Sequence, residues 1–280
     1  MITSTTNATP AAITAENYAF LQQYIYRESG IVLEAGKHYL LDARLSPIIR
    51  NAQLATINDL CALLRATGPE PLKRAVVEAI TTHETLFFRD QAAFEALKAS
   101  ILPQLKALRD GKRRLSIWSA AASSGQEAYS IAMMLLELGL ESWHIDILGT
   151  DLSHQILARA RAGRFAQLEI NRGLPAAYLA KYFKRQGLEW EVSDQVRRGV
   201  RFEPLDLRQI PSSFGSFDLV LCRNVMIYFD METKRKIVQA IKRSMTPGSV
   251  LLLGSAETLL NLDDSLERKV ASAAVYYQMS

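Results

Sequence analysis

The side chains of this 280-residue chain that could do chemistry sit in short polar stretches, each directly following an apolar run. The first is Ser119-Ala-Ala-Ala-Ser-Ser-Gly-Gln-Glu127, with seven consecutive small residues from Ser119 to Gly125. Small residues let a backbone turn tightly and approach a ligand closely. The helix predicted from Gln126 offers free N–H groups at its start. Neither GxGxxG nor Gly-Lys-Ser/Thr is present, so phosphate cradling is not the chemistry indicated. Glu127 either stabilises the helix dipole or accepts a hydrogen bond from a ligand ammonium group. The second stretch ends at Asp151, 26 residues after Gly125. That is close to the ~20-residue offset at which an acid holds a ribose in nucleotide-binding folds. The alternative for Asp151 is an N-cap for the helix starting near His154, a task Ser153 can also perform. Asp206, after a short strand at Phe202, could meet an adenine amino group or simply close a turn. Arg223-Asn224 follows the apolar run Phe217 to Cys222 and either contacts a ligand or closes its loop by local hydrogen bonds. Cys222 itself reads as core.

One further segment, Thr81-Thr-His-Glu-Thr-Leu-Phe-Phe-Arg-Asp90, lies where the sequence pattern changes. Seam packing accounts for Phe87 and Phe88, and less well for Thr85 and Arg89. Before it, residues 14–80 read as four short helices with no good strand. Thr14 is an N-cap with Asn17 at N3, and Gly30 closes the first helix. A second helix starts near Ala35 and meets Pro47, where it either kinks or gives way to a new one capped by Ser46. Ile57 to Arg65 and Pro71 to Ile80 complete a bundle-like domain. After it, Gln91 to Leu108 is a long amphipathic helix, and from Leu115 strands and helices alternate. The strands are 115–119, 145–150, 200–202, 217–222, 249–254 and 275–278. Pro247-Gly248 is read as the turn before 249–254. Such alternation specifies a doubly wound α/β sheet, which binds ligands beyond the carboxyl ends of its strands. The domains expected are a disordered lead-in over 1–13, a helical domain over 14–90 and an α/β domain over 91–280.

Composition narrows the class. Hydrophobic residues make up 49% and charged residues 22%, as in ordinary globular chains. No apolar run approaches the ~18–20 residues that span a bilayer. The N-terminal residues resemble neither a secretion signal nor a presequence. Cys61 and Cys222 are far apart, and the four histidines show no ligand spacing, so neither a disulfide framework nor a metal site is expected. A reducing cytoplasm fits. The net charge of +4 is local in origin: Arg159 to Arg201 holds ten Lys/Arg against four acids, while residues 1–90 hold eight against nine. Such a stretch is either solvated surface or a draw for an acidic partner.

Taken together and in this order, the junction segment Thr81 to Arg89, the loop Trp118 to Glu127 and the segment Cys222-Arg-Asn-Val-Met-Ile-Tyr-Phe-Asp230 resemble the chemotaxis receptor methyltransferases, the CheR family. The resemblance runs from about Tyr18 to Met279. It implies a small all-helical N-terminal domain and a Rossmann-like methyltransferase domain with a small antiparallel β subdomain at about 182–202. It implies S-adenosylmethionine as cofactor, S-adenosylhomocysteine as its product, and transfer of a methyl group to glutamates in the cytoplasmic helical region of chemoreceptors. The cofactor-lining positions it implies are His83, Thr85, Arg89, Glu127, Asp151, Asp206, Leu207, Arg223 and Asn224. Arg89 and Tyr228 would border the reacting carboxylate. Arg44 and Arg50 would meet the receptor; they lie six residues apart, about 120° around one straight helix.

The chain departs from the family pattern at His83 and Asp206, where Asn is common, and at Ala128, where Pro is frequent. The stretch Lys184 to Ser193 is short and lacks the longer Gly-containing loop of members that dock on a receptor's C-terminal tether peptide. A tether-independent enzyme is therefore expected. A monomer without nucleic-acid partner or membrane insertion is expected as well. Two other readings stay open here. One is a methyltransferase of the same fold acting on RNA or a small molecule, although no surface of stacked aromatic and basic residues is evident. The other is a catalytically silent partner-binding module, against which the intact cofactor positions speak.

Overall fold

The computed structural model describes residues 12–66 and 68–280, so the lead-in expected over 1–13 falls almost entirely outside the described residues. The chain forms two compact units, Met1–Thr82 and His83–Ser280.

The first unit is helical: α1 (Ala15–Ser29), α2 (His38–Asn51), α3 (Ile57–Arg65) and α4 (Glu70–Ile80). Thr14 caps α1 by accepting the Asn17 N–H, and Gly30 ends it at φ 74°. α3 starts in a capping box in which Thr56 and Asp59 satisfy each other's free amides. Pro47 lies inside α2 and begins no new helix; the Ser46 hydroxyl bonds back to the Asp42 carbonyl one turn earlier. Leu21, Ile25, Leu41, Leu45, Leu60, Cys61 and Val76 are fully buried and form the core of this unit.

The second unit opens with α5 (Gln91–Ala96), a π-helical turn over Leu97–Ile101, and α6 (Leu102–Arg109). The long helix read from the sequence is thus continuous but locally widened just before Pro103, whose missing N–H and ring disturb the α-helical ladder. There follow β1 (Arg114–Ala120), α7 (Gln126–Glu137), β2 (His144–Asp151), α8 (His154–Ala162), β3 (Arg164–Ala166), α9 (Gln167–Asn171), α10 (Ala176–Tyr182), β4 (Phe183–Gln186) and β5 (Glu189–Val192). The remainder is α11 (Asp194–Arg197), β6 (Val200–Pro204), β7 (Phe217–Cys222), α12 (Met231–Arg243), β8 (Met245–Leu253), β9 (Glu267–Ala271) and β10 (Ala274–Gln278). Among the described residues no helix is long and apolar enough to cross a membrane.

Among the described residues, seven strands form one sheet in the order β6-β2-β1-β7-β8-β10-β9, with parallel pairing through the first five and antiparallel pairing of the last two. The chain winds outward from β1 on both sides, so the switch point lies between β1 and β7. Ala120, the last residue of β1, is level with Thr150 on one side and Cys222 on the other. The polar stretches after these strands are therefore delivered to one rim, as doubly wound topology requires. β7 is buried throughout, and its one acid, Asp218, pairs with Arg109 of α6 at 2.7 Å and accepts the Ser116 N–H at 2.9 Å.

β3, β5 and β4 make a separate antiparallel sheet, the small β subdomain, which begins earlier in the chain than 182 because β3 pairs with β5. Pro247-Gly248 is not a turn before a strand but lies within β8. Gly248 at φ 79° absorbs an irregularity, where the register against β7 slips between Met245 and Val250. The edge strand β9 has no counterpart in the sequence reading. The division after Thr82, rather than at 90, also has a cause. Residues 83–90 are tied into the second unit by Ser123 Oγ to the His83 carbonyl (2.9 Å), the Phe88 N–H to Ser130 Oγ (3.1 Å) and the fully buried Phe87 ring.

Candidate active site

The rim beyond β1, β2 and β7 collects unusual backbone. Phe88, Asp90, Ala121, Ser123 and Asn224 all have positive φ between 50° and 70° without being glycine. Such conformations cost of order 1–3 kcal/mol each and persist where surrounding contacts over-determine them, often at functional sites. The floor shows why glycine is needed at two positions. A Cβ on Gly149 would lie 2.5 Å from the Phe202 ring, and one on Gly125 would lie 2.8 Å from it.

Asp151 ends β2 and is buried. One carboxylate oxygen accepts the Ser123 N–H at 2.9 Å and the other accepts the Ser153 N–H at 3.0 Å. Burial pushes its pKa up; these amide bonds, that of Leu152 and the nearby His83 pull against it. An ionised carboxylate has about four acceptor positions, so capacity remains for a ligand hydroxyl. The cap of α8 is supplied by Ser153, whose hydroxyl accepts the Ile156 N–H at 3.2 Å, which leaves Asp151 to the rim.

Glu127, in the first turn of α7, accepts from Ser119 Oγ at 2.7 Å and from Arg223 at 3.0 Å. Arg223 is almost wholly buried. Its other nitrogen donates to the Arg89 carbonyl at 2.7 Å and lies 3.4 Å from Asp90, and the guanidinium sits 5.6 Å from the centre of the Phe94 ring. The Arg223 guanidinium thus acts inside the wall, locking the loop after β7 to the junction segment. Two carboxylates share one guanidinium, a local excess of negative charge that suits a cationic ligand. The Arg223 Nε is buried and, among the described residues, finds no hydrogen-bond partner.

The remaining positions are distributed around this pair. Arg89 is half-buried and donates to the Glu84 carbonyl at 2.6 Å; Thr85 is half-buried beside it in sequence. Asp206 caps the single turn Leu207–Gln209 and forms a forked ion pair with Arg208, at 3.0 and 2.6 Å. A ligand amine would meet that carboxylate already shared. Leu207 is buried in the same apolar cluster as Trp118 and Leu148. Tyr228 ends the single 3-10 turn Met226–Tyr228 and is half-buried. Arg44 and Arg50 belong to the first unit. The Arg44 guanidinium donates to the Ile80 and Thr81 carbonyls, closing the C-terminus of α4, and to Thr82 Oγ1 at 3.0 Å; Arg50 is exposed.

Three contributors escaped the sequence reading. Ser123 bridges Asp151 and His83, and lay hidden in a run of small residues. Arg208 neutralises Asp206 from two positions away. Glu257 accepts backbone N–H groups from two loops; its only signal was an acid shortly after the strand-ending Gly254.

These features fit a ligand with ribose hydroxyls and a positive charge: a buried acid with spare acceptor capacity, a local negative excess and glycines pressed onto an aromatic floor. Residues 83–275 match the CheR methyltransferase, SAM binding domain, and residues 16–81 match the CheR methyltransferase, all-alpha domain. A chemotaxis protein methyltransferase of Vibrio parahaemolyticus is 38% identical over 277 residues, covering 97% of this chain and 99% of its own length. Chemotaxis protein methyltransferase 1 of Pseudomonas aeruginosa is 39% identical over 269 residues, covering 94% and 97% respectively. The chain belongs to the CheR methyltransferase family, and its cofactor is S-adenosylmethionine.

Proposed function

We propose that this chain is a protein-glutamate O-methyltransferase that esterifies glutamates in the cytoplasmic helical region of bacterial chemoreceptors. The observation that carries the reading is the full-length match to chemotaxis protein methyltransferases, joined to a strand-end rim built around Asp151 and the Glu127–Arg223 pair. When bound, S-adenosylmethionine supplies an electrophilic methyl group on a sulfonium centre. A glutamate has an unperturbed pKa of ~4.3 and is already an anion near neutral pH, so no general base is needed. The side chains must align and desolvate two reactants rather than move a proton.

In this reading Asp151 holds the ribose, and His83, Thr85, Glu127, Asp206, Leu207, Arg223 and Asn224 line the cofactor site. Arg89 and Tyr228 act on the acceptor: the planar fork of Arg89 orients the carboxylate and the Tyr228 hydroxyl holds one oxygen. Arg89 must not bind the ground-state anion too tightly, because strong pairing would lower its nucleophilicity. The enzyme works in the cytoplasm as a monomer, and its two-residue hairpin turn at Gly187-Leu188 supports independence from a tether peptide. The test is transfer of labelled methyl groups into receptor-bearing membranes, followed by release of label in base. Base-labile incorporation is expected; label appearing in RNA or a small molecule instead would overturn the acceptor assignment.

A further inference from the structure

The loops after β7 and β8 are joined by one side chain. Glu257 accepts four backbone N–H groups: Asn224 at 2.7 Å and Gly254 at 2.8 Å on one oxygen, Val225 at 2.9 Å and Ile227 at 3.3 Å on the other. It is brought there by a tight turn in which its own N–H donates to the Gly254 carbonyl at 2.9 Å. Space forbids a side chain at Gly254, where a Cβ would lie 2.7 Å from Glu257 and 2.8 Å from the Asn224 backbone nitrogen and side-chain amide.

The donors are not incidental. Asn224 is held at φ 57°, a left-handed conformation that needs support. Ile227 lies in the turn Met226–Tyr228, so its N–H belongs to the element that carries Tyr228. Each oxygen faces two donors, and among the described residues no other side chain is bonded to either. Only a carboxylate offers acceptors at both positions; an amide would turn an NH2 group towards two N–H donors.

We infer that Glu257 is a positioning residue for the methyl transfer: it clamps the loop 223–228 so that Asn224 faces the cofactor and Tyr228 faces the acceptor. This rests on the roles given above to Asn224 and Tyr228. Glu257 touches neither reactant in this scheme and acts through the four amides.

The test compares wild type, Glu257→Gln, Tyr228→Phe and the double variant. In Glu257→Gln, hydrogen exchange at the Asn224, Val225 and Ile227 amides should rise while exchange in β1 and β2 stays unchanged. Turnover at saturating cofactor should fall about 10- to 100-fold, the scale of a misplaced reacting group. Cofactor affinity, measured by calorimetry, should fall by a smaller factor, because Asp151 is untouched. The turnover losses of Glu257→Gln and Tyr228→Phe should be strongly non-additive if one acts through the other. Unchanged exchange at the three amides, wild-type turnover, or additive losses would each overturn the clamp. Wild-type turnover in Tyr228→Phe together with raised exchange in Glu257→Gln would instead remove Tyr228 from the site and with it the positioning role. Should Glu257→Gln prove unstable, Glu257→Asp keeps the charge, shortens the reach by one methylene and is read in the same way.

Discussion

At the scale of single residues, Asp151 combines burial with a required charge. Burial raises its pKa above the ordinary 3.8, so at a given pH the neutral form is more populated in the folded chain than in the unfolded one. The stability this confers is complete below the ordinary carboxylate range and is lost as pH rises through the raised value. The proposed ribose hydroxyl donating to Asp151 works in the opposite direction, because its hydrogen bond is stronger to the ionised form. Cofactor affinity should therefore fall on acidification at a higher pH than an ordinary aspartate would give, and Asp151→Asn should flatten this dependence; calorimetry across a pH series reads both. Asp151→Ala should weaken binding by ~1.5–3 kcal/mol at neutral pH, the scale of a lost charged hydrogen bond, and unchanged affinity in a folded variant would take Asp151 out of the site. Arg89 is a different case. Its carbonyl is tied to Arg223, and among the described residues its guanidinium donates to one carbonyl, that of Glu84, which leaves further donors for an acceptor carboxylate. Arg89→Ala should lower turnover more than cofactor affinity, and Arg89→Lys should rescue only in part, since an ammonium lacks the fork. Single-turnover rates equal to wild type in Arg89→Ala would end that assignment.

At the scale of elements, the candidate site is made by strand ends, and strand ends are where the sequence spoke most clearly. β7 and α8 lie where apolar run length and capping residues put them, because a buried parallel strand and a capped helix each have a local signature. β9 was not legible: Glu267-Arg-Lys-Val-Ala271 carries three charged residues in five and is a strand only because β10 pairs with it. Pro247-Gly248 read as a turn because those residues usually make one; pairing with β7 holds them in a bulged strand instead. The polar rim residues were visible because side chains of that kind are out of place after apolar strands. Glu257, Ser123 and Arg208 were not, since each works through partners that only the fold brings near. Gly149 shows how an element can constrain the site without touching a ligand. In Gly149→Ala the new Cβ would meet the Phe202 ring at 2.5 and 2.6 Å and the Ala122 Cβ at 3.1 Å. The variant should lose roughly 1–3 kcal/mol, the usual cost of overpacking, and the smaller ring space of Phe202→Leu should restore part of it. Urea unfolding of the single and double variants measures both, and an undiminished midpoint for Gly149→Ala would show that the β2 end yields freely.

At the scale of the whole molecule, the proposed acceptor, an acidic receptor helix, would be drawn in by exposed basic side chains. The formal excess of six basic residues between Arg159 and Arg201 overstates the available field. Arg159, Arg164, Arg172, Lys181, Arg197 and Arg201 of that stretch are each paired with a nearby Glu or Asp. In the helical unit the two arginines implied in receptor contact divide their labour. Arg44 spends its guanidinium on the carbonyls at the end of α4, whereas Arg50 is exposed near the end of α2. Replacing both together would therefore confuse docking with folding. Arg44→Ala should cost roughly 1–2 kcal/mol of stability, as expected for lost hydrogen bonds from a charged donor, and thermal unfolding reads that loss directly. Arg50→Glu should leave stability and cofactor affinity as they are. It should reduce methylation at limiting receptor, and more steeply in dilute salt, because the Debye length grows from about 10 Å at 0.1 M to about 30 Å at 0.01 M. The measurement is the initial rate of methyl transfer to receptor membranes at both ionic strengths. A rate for Arg50→Glu equal to wild type at both would move the docking surface to basic side chains of the second unit, with Lys184 and Arg185 on β4 the first to reverse in charge.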